Sequence, residues 1–197
     1  MTGVQTCALP ISIAKQDKIF MKRSGAYHSQ LDSQIIEKMG NFPLMQFKTK
    51  VKLNPKYQMK GEEIDIIDEA ITYFKANIFY KNFDLSIAEA DKLLVYLILY
   101  ISSLLLKYQG KTKADCDKLA YSMAIENFAL PGDGKFCLGG LVEPLKSSEK
   151  EVVRQYLTAL RNECGLRLSA AVFKNDANKA DKWWMCFNKR KFLNKTI

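Results

Sequence analysis

The sequence predicts an all-α fold of about five helices, in which one apolar helix at about residues 87–108 is surrounded by the others. Apolar residues recur at helical spacing in several segments, and one run of 14 residues contains no charged side chain. No convincing sheet pattern is present, although short stretches such as residues 45–53 are typical of extended chain. With 197 residues, 48% of them hydrophobic, the chain can bury the core of one domain.

The first 60 residues contain no clean helical period. Residues 2–12, TGVQTCALPIS, are similar to the conceptual translation of a sequencing-library adapter, so we interpret residues 1–12 as an assembly artefact. We treat residues 13–25 as a leader of open origin and residues 26–197 as a single all-α domain. Residues 26–60 are basic and interrupted by Pro43 and Pro55, so we expect them to wrap the core.

The first predicted helix covers about residues 62–81. Its apolar positions follow spacings of three and four and therefore share one face: Ile64, Ile67, Ile71, Phe74 and Ile78. Acidic residues crowd its start and lysines lie toward its end, which complements the helix macrodipole.

The second predicted helix is the central one. Residues 86–89, Ser-Ile-Ala-Glu, have the capping-box pattern that opens a helix. The uncharged run LLVYLILYISSLLL then fills residues 93–106. At 1.5 Å per residue this run spans ~21 Å, which is shorter than a membrane crossing needs, so we expect burial in protein on every side.

The remaining helices are predicted at about 113–126, at 148–165 and at 166–173. The third of these groups begins with a second capping box, Ser148 to Glu151, and a stop is expected near Gly165. Residues 129–144 are rich in glycine and proline and are predicted to be a loop. Their GDGK piece lacks the spacing of a phosphate-binding loop, so we favour a plain turn.

No catalytic or metal-binding pattern is present. The single histidine, His28, excludes any site that needs two imidazoles, and a structural role is favoured over a catalytic one. The five cysteines form no CxxC pair and are expected to be buried thiols. The acids of residues 62–69 are explained by the start of a helix. The sequence therefore predicts no enzyme, no metal site and no cofactor.

The charge points to a partner. The formal charge of +9 concentrates in residues 1–60 and 111–197, and residues 182–197 contain five basic residues and no acid. Aromatic and basic residues interleave there, and they form the candidate site: Trp183, Trp184, Phe187, Lys189, Arg190 and Phe192. Such a segment can bind nucleic acid, anchor a protein interface or close the core, and composition leaves all three open.

Three strings resemble one protein family, in the family's order. They are AYHS at residues 26–29, DIIDEAITYFKANIFYKNFDL at 65–85 with ADKLLVYLILYIS at 90–102, and GLRL at 165–168 with KWWMCFNKRKFLNK at 182–195. On these residues the chain resembles subunit 3 of the actin-related protein 2/3 complex. Ser24 and Gly25 stand where that family usually has Met-Pro, and residues 43–60 and 174–181 follow the family loosely.

The resemblance implies a small all-α, non-catalytic subunit of a seven-protein assembly that nucleates branched actin filaments. It implies that the chain packs chiefly against actin-related protein 3, contacts other subunits, and meets the filament through the complex. ATP and magnesium belong to the actin-related partners, so no cofactor is expected here, and neither nucleic acid nor membrane is an expected partner. The implied location is the cytoplasm and the cytoskeleton, in cortical or branched actin networks. We place the partner interface on the exposed members of residues 182–195 and on the edge of the 64–80 helix.

Overall fold

The computed structural model describes residues 25–195. The predictions for residues 1–12 and 13–24 therefore lie outside the described residues. The elements, numbered in chain order, are β1 (Ile35–Met39), β2 (Phe42–Met45), α1 (Ile66–Asn77), α2 (Asp91–Tyr108), α3 (Lys113–Ile125), α4 (Ser147–Val172) and α5 (Lys182–Met185).

Helix α2 lies at the centre of the fold. Its side chains from Leu93 to Ile101 are all buried, and α1, α4 and strand β2 pack around it. A helix that is apolar on every face needs such a surround, because no face of it favours water. None of the helices in residues 25–195 is long and apolar enough to cross a membrane.

The prediction of an all-α fold is wrong. Strands β1 and β2 form an antiparallel hairpin, and the fold is 48% helical with 6% strand. The turn is the pair Gly40 and Asn41, which both have positive φ, as a two-residue hairpin turn requires. All four residues of β2 are buried, and Phe42 meets the ring of Tyr96 edge-on at 6.2 Å between centroids. The pairing of β2 with β1 satisfies backbone groups that a buried extended segment would otherwise leave unbonded.

Two predicted helices, 148–165 and 166–173, are one helix, α4. Gly165 does not end it, because its φ is not positive and it lies at a close crossing with α3. A Cβ on Gly165 would stand 2.5 Å from the Cβ of Ala120, and the Gly165 carbonyl accepts a hydrogen bond from Tyr108 Oη at 3.0 Å. This glycine therefore serves helix packing rather than helix termination.

Neither predicted capping box forms as expected. Helix α2 begins at Asp91 rather than near residue 87, and Ser86 instead bonds to Asp84 in a local turn. The amides before α2 are capped by Asp32 from a distant segment, with Ala90 N donating to its Oδ1 at 2.8 Å. At the start of α4, Glu149 accepts from the Lys146 amide at 2.9 Å, so Ser148 is not the cap.

A buried cation cluster joins the start of α1 to α4. Asp65, fully buried, caps α1 by accepting from the amides of Ile67 and Asp68. Arg167 donates to both oxygens of Asp65 at 2.8 and 2.9 Å and to Asp68 at 2.9 Å. Burial raises the pKa of Asp68, but the bonds from Lys48 and the charge of Arg167 outweigh it and hold that pKa below its usual value.

The segment at residues 26–29 lies between α1 and α2 and is held by buried polar groups. Asn77 pairs with the Tyr27 backbone through both its amide oxygen and its amide nitrogen, at 2.8 and 2.9 Å. Glu69 accepts from Tyr27 Oη at 2.8 Å and from Ser29 Oγ at 2.7 Å. His28 Nδ1 lies 2.7 Å from Asp91 Oδ2. These bonds convert a stretch without regular structure into part of the core.

This cluster makes stability depend on pH. Burial raises the pKa of Glu69 above its usual value, outweighing the hydrogen bonds from Ser29, Gln30 and Tyr27 that lower it. A raised native pKa gives stability that is present below the unfolded pKa and is lost as the pH rises through the native pKa. We therefore expect the free energy of unfolding of wild type, relative to Glu69→Gln, to fall as the pH rises from about 4.5 toward neutral.

Urea unfolding of both full-length proteins across that pH range measures the difference. The matched control is Glu63→Gln, because Glu63 is an exposed carboxylate three turns of sequence before the same helix face and should give a flat difference. A wild-type advantage over Glu69→Gln that grows with pH would contradict the expectation.

Candidate partner interface

Helix α5 sits at the end of α1, where the predicted site begins. Asp181 accepts from the Trp183 amide at 2.8 Å and so opens α5, and its own amide donates to the Val172 carbonyl at 2.9 Å. These two bonds tie α5 to the end of α4. Trp184 then stacks on Phe74 of α1, with 6.1 Å between ring centroids, and is only 8% exposed.

Two of the six predicted site residues therefore belong to the core. Trp184 is buried, and the Lys75 ammonium lies 4.3 Å from its ring centroid. Phe192 is fully buried and meets Phe83 edge-on at 5.9 Å. For these two side chains the third alternative, closure of the core, describes what the segment does.

Phe187 links the segment to the end of α1. It is half-buried and contacts Phe74 and Phe79 edge-on, at 6.2 and 5.7 Å between ring centroids. Phe79 lies just beyond α1 and is 57% exposed, and the Arg190 guanidinium stands 5.3 Å from its ring centroid. An exposed cation over an exposed ring is a common interface arrangement.

The exposed members of the predicted site are Trp183, Lys189 and Arg190. Trp183 is 61% exposed, and its nearest charged neighbour is Lys182, whose ammonium lies 5.3 Å from its ring centroid. We call the set of Phe79, Lys182, Trp183, Lys189 and Arg190 the aromatic–basic surface. It carries four side chains of the predicted segment's exposed face and one ring from the edge of the 64–80 helix.

Phe79 is the member that the list of site residues did not contain. Its signal in the sequence is the aromatic run IFYKNF at residues 78–83, where apolar rings continue past the last helical position. An unburied ring in such a run indicates a surface for a partner, because single domains have little other use for it.

No catalytic arrangement accompanies this surface within residues 25–195. His28 is 1% exposed and paired with Asp91, far from solvent. Across that described range no group of histidine, cysteine and acidic residues could hold a metal ion. Burial raises the pKa of Cys116 to about 11 and that of Cys164 to about 12, so these thiols stay protonated and unreactive. Cys186, in contrast to the expectation of burial, is exposed.

Comparison with known proteins assigns the fold to one family. Residues 24–197 match the family model described as "P21-Arc: ARP2/3 complex ARPC3 (21 kDa) subunit". A relative in Entamoeba histolytica, named actin-related protein 2/3 complex subunit 3, is 80% identical over 186 residues, covering 94% of this chain and 99% of the relative.

More distant relatives carry the same name. The protein of Dictyostelium discoideum is 44% identical over 174 residues, covering 87% of this chain and 99% of the relative. The protein of Schizosaccharomyces pombe is 38% identical over 174 residues with the same two coverages. The similarity therefore extends over the whole folded part of the chain and across widely separated organisms.

Proposed function

This chain belongs to the family of ARPC3 (21 kDa) subunits of the ARP2/3 complex, and we propose that it joins that complex chiefly by packing against actin-related protein 3. It is a structural, non-catalytic subunit, and its work belongs to actin nucleation in the cytoskeleton. Through the packing proposed here it supports the nucleation of branched filaments, in cortical or branched actin networks. Residues 26–197 act in this as a single unit.

The observation that carries the proposal is the aromatic–basic surface. Trp183 and Phe79 are each more than half exposed, although aromatic rings of this size gain free energy from burial. Tryptophan and arginine dominate the binding energy of many protein interfaces. Residues 182–195 contain no acidic side chain, so a partner surface with acidic residues complements them.

We expect Arg190→Glu to weaken assembly without unfolding the domain. The side chain is exposed and contacts the Phe79 ring, so reversal of its charge replaces attraction to an acidic partner by repulsion. A loss on the order of tenfold in affinity corresponds to about 1.4 kcal/mol. Affinity purification of the tagged full-length chain, with quantification of both actin-related proteins, measures this loss.

Lys118→Glu is the matched control, because it makes the same charge change at an exposed position on α3. Thermal unfolding of both variants should stay close to that of wild type. Unchanged recovery of the complex with Arg190→Glu would remove Arg190 from the interface and leave residues 182–195 with core closure alone.

The identity of the partner has its own test. A photo-crosslinking amino acid at position 183, in the assembled complex, should join this chain to actin-related protein 3, because Trp183 projects from the surface at 61% exposure. The same label at Tyr121, which is 59% exposed on α3, reports the neighbour of a different face. An adduct from position 183 to another subunit would contradict the proposed packing while leaving membership of the complex intact.

A further inference from the structure

Arg161 is a buried cation without a carboxylate partner. Its side chain is 3% exposed, and its Nη2 donates to the Met123 carbonyl at 2.7 Å. The guanidinium lies 4.6 Å from the ring centroid of Tyr100 and 4.3 Å from that of Phe128. Among residues 25–195 no hydrogen-bond acceptor meets its Nε or Nη1, and no acidic side chain forms an ion pair with it.

Two buried hydroxyls beside Arg161 are also without partners among the described residues: those of Tyr96 and Tyr100. Burial raises the pKa of Tyr96 to about 12, and the nearby charge of Arg161 only partly opposes that rise. Burial raises the pKa of Tyr100 in the same way. Both hydroxyls therefore stay protonated. Every unsatisfied nitrogen and hydroxyl at this place can donate a hydrogen bond, and an acceptor is missing.

These groups lie at a cleft of about 710 Å³. Tyr96 and Arg161 line its inner part, and Phe128 and Phe136 give it apolar walls. Arg154, one helical face along α4, also lines it and contacts the opposite part of the Phe128 ring region at 5.6 Å. The acids of the cleft are otherwise engaged, since Glu126 lies 4.0 Å from Lys107 and Asp133 accepts from the Leu130 amide.

We propose that this cleft binds a carboxylate carried on a short apolar stem, with Arg161 as its buried cation. A buried charge is costly unless it is paired, and the planar fork of arginine matches a carboxylate with two hydrogen bonds. A carboxylate brings one negative charge to one buried positive charge, whereas a phosphate dianion would bring a second charge into apolar walls. The Nε and Nη1 atoms lie beneath the cleft surface, so the ligand reaches them by displacing the covering ring of Phe128.

The chemistry can come from a free small acid or from the terminal carboxylate of a protein. Butyrate is the probe for the first source, and butyramide, which has the same shape without the charge, is its control. Acetyl-trialanine as the free acid and as the amide are the corresponding pair for the second. The side-chain Nε–H resonance of Arg161, followed by NMR in the full-length chain, reports binding at the site itself.

We expect at least one acid to shift that resonance saturably and to bind at least tenfold more tightly than its amide. Preference for butyrate assigns the site to a free acid, and preference for the peptide acid assigns it to a protein terminus. Equal binding of acids and amides, no shift with either acid, or tighter binding of inorganic phosphate than of butyrate would overturn the proposal.

Arg161→Gln should abolish the preference for acids, and Arg190→Gln, which alters an arginine outside the cleft, should leave it unchanged. Retention of the preference in Arg161→Gln would also overturn the proposal. If Arg161→Gln does not fold, the comparison of acid with amide in wild type still decides the question, because it requires no variant.

Discussion

Replacement of Ile98 by lysine is expected to leave the chain unfolded. Ile98 is fully buried at the middle of α2, the helix around which the other elements pack. The substitution removes about 1.5–3 kcal/mol of side-chain burial. It also places an ammonium group where none of its hydrogen bonds to water can be kept, at a cost of several kcal/mol. Domains of this kind are stable by about 5–15 kcal/mol, so one such residue is enough to unfold the chain.

Far-UV circular dichroism and thermal unfolding of the purified full-length protein measure this effect. Leu106→Lys is the matched control, because Leu106 lies on the same helix and is 54% exposed. The control should unfold within a few degrees of wild type. A soluble Ile98→Lys protein with a cooperative transition near that of wild type would show that α2 is not the centre of the core.

The second large effect is expected for Arg167→Met. Arg167 is the partner of Asp65, which is fully buried, and it also bonds to Asp68 and Glu163. Removal of one member of a buried ion pair leaves the other charge uncompensated and costs about 3–5 kcal/mol. Methionine keeps most of the volume, so the loss of charge pairing dominates. Urea unfolding of the full-length variant, read as the change in the free energy of unfolding, measures it.

Arg154→Met is the control for Arg167→Met. Arg154 lies on the same helix, half-buried, and its printed hydrogen bond is a long one of 3.5 Å to Asn127. It should lose less than about 1 kcal/mol, as weak and partly exposed polar contacts do. If the two variants lose the same amount, Asp65 finds other compensation when Arg167 is removed.

The sequence predicted those elements whose burial pattern is complete within one segment. The period of Ile67, Ile71 and Phe74 located α1, and the uncharged run located α2. The hairpin was missed although Gly40-Asn41 is a known turn pair, because its strands are only five and four residues long and β2 is buried on both faces. Gly165 was misread because a glycine at a helix crossing and a glycine at a helix end look alike in one sequence.

The candidate site was predictable as a segment but not as a surface. Trp183 and Trp184 are adjacent and chemically equal, and only the position of α5 on α1 exposes one and buries the other. Arg161 gave no signal at all. Its neighbours Tyr100 and Phe128 are 61 and 33 residues away along the chain, so its missing counter-charge appears only when the helices are packed.

The polar bonds of residues 27–29 set the order in which the protein can fold during synthesis. His28 cannot meet Asp91 until 63 further residues have been made, and Tyr27 must wait 50 residues for Asn77. At 5–20 residues per second the first interval lasts roughly 3–12 s. Until then the early segment has no native partner, and α1 lacks the cover of Trp184 for longer still. Nascent chains of this protein therefore expose their apolar helices until synthesis is almost complete, which makes them natural clients of ribosome-associated chaperones.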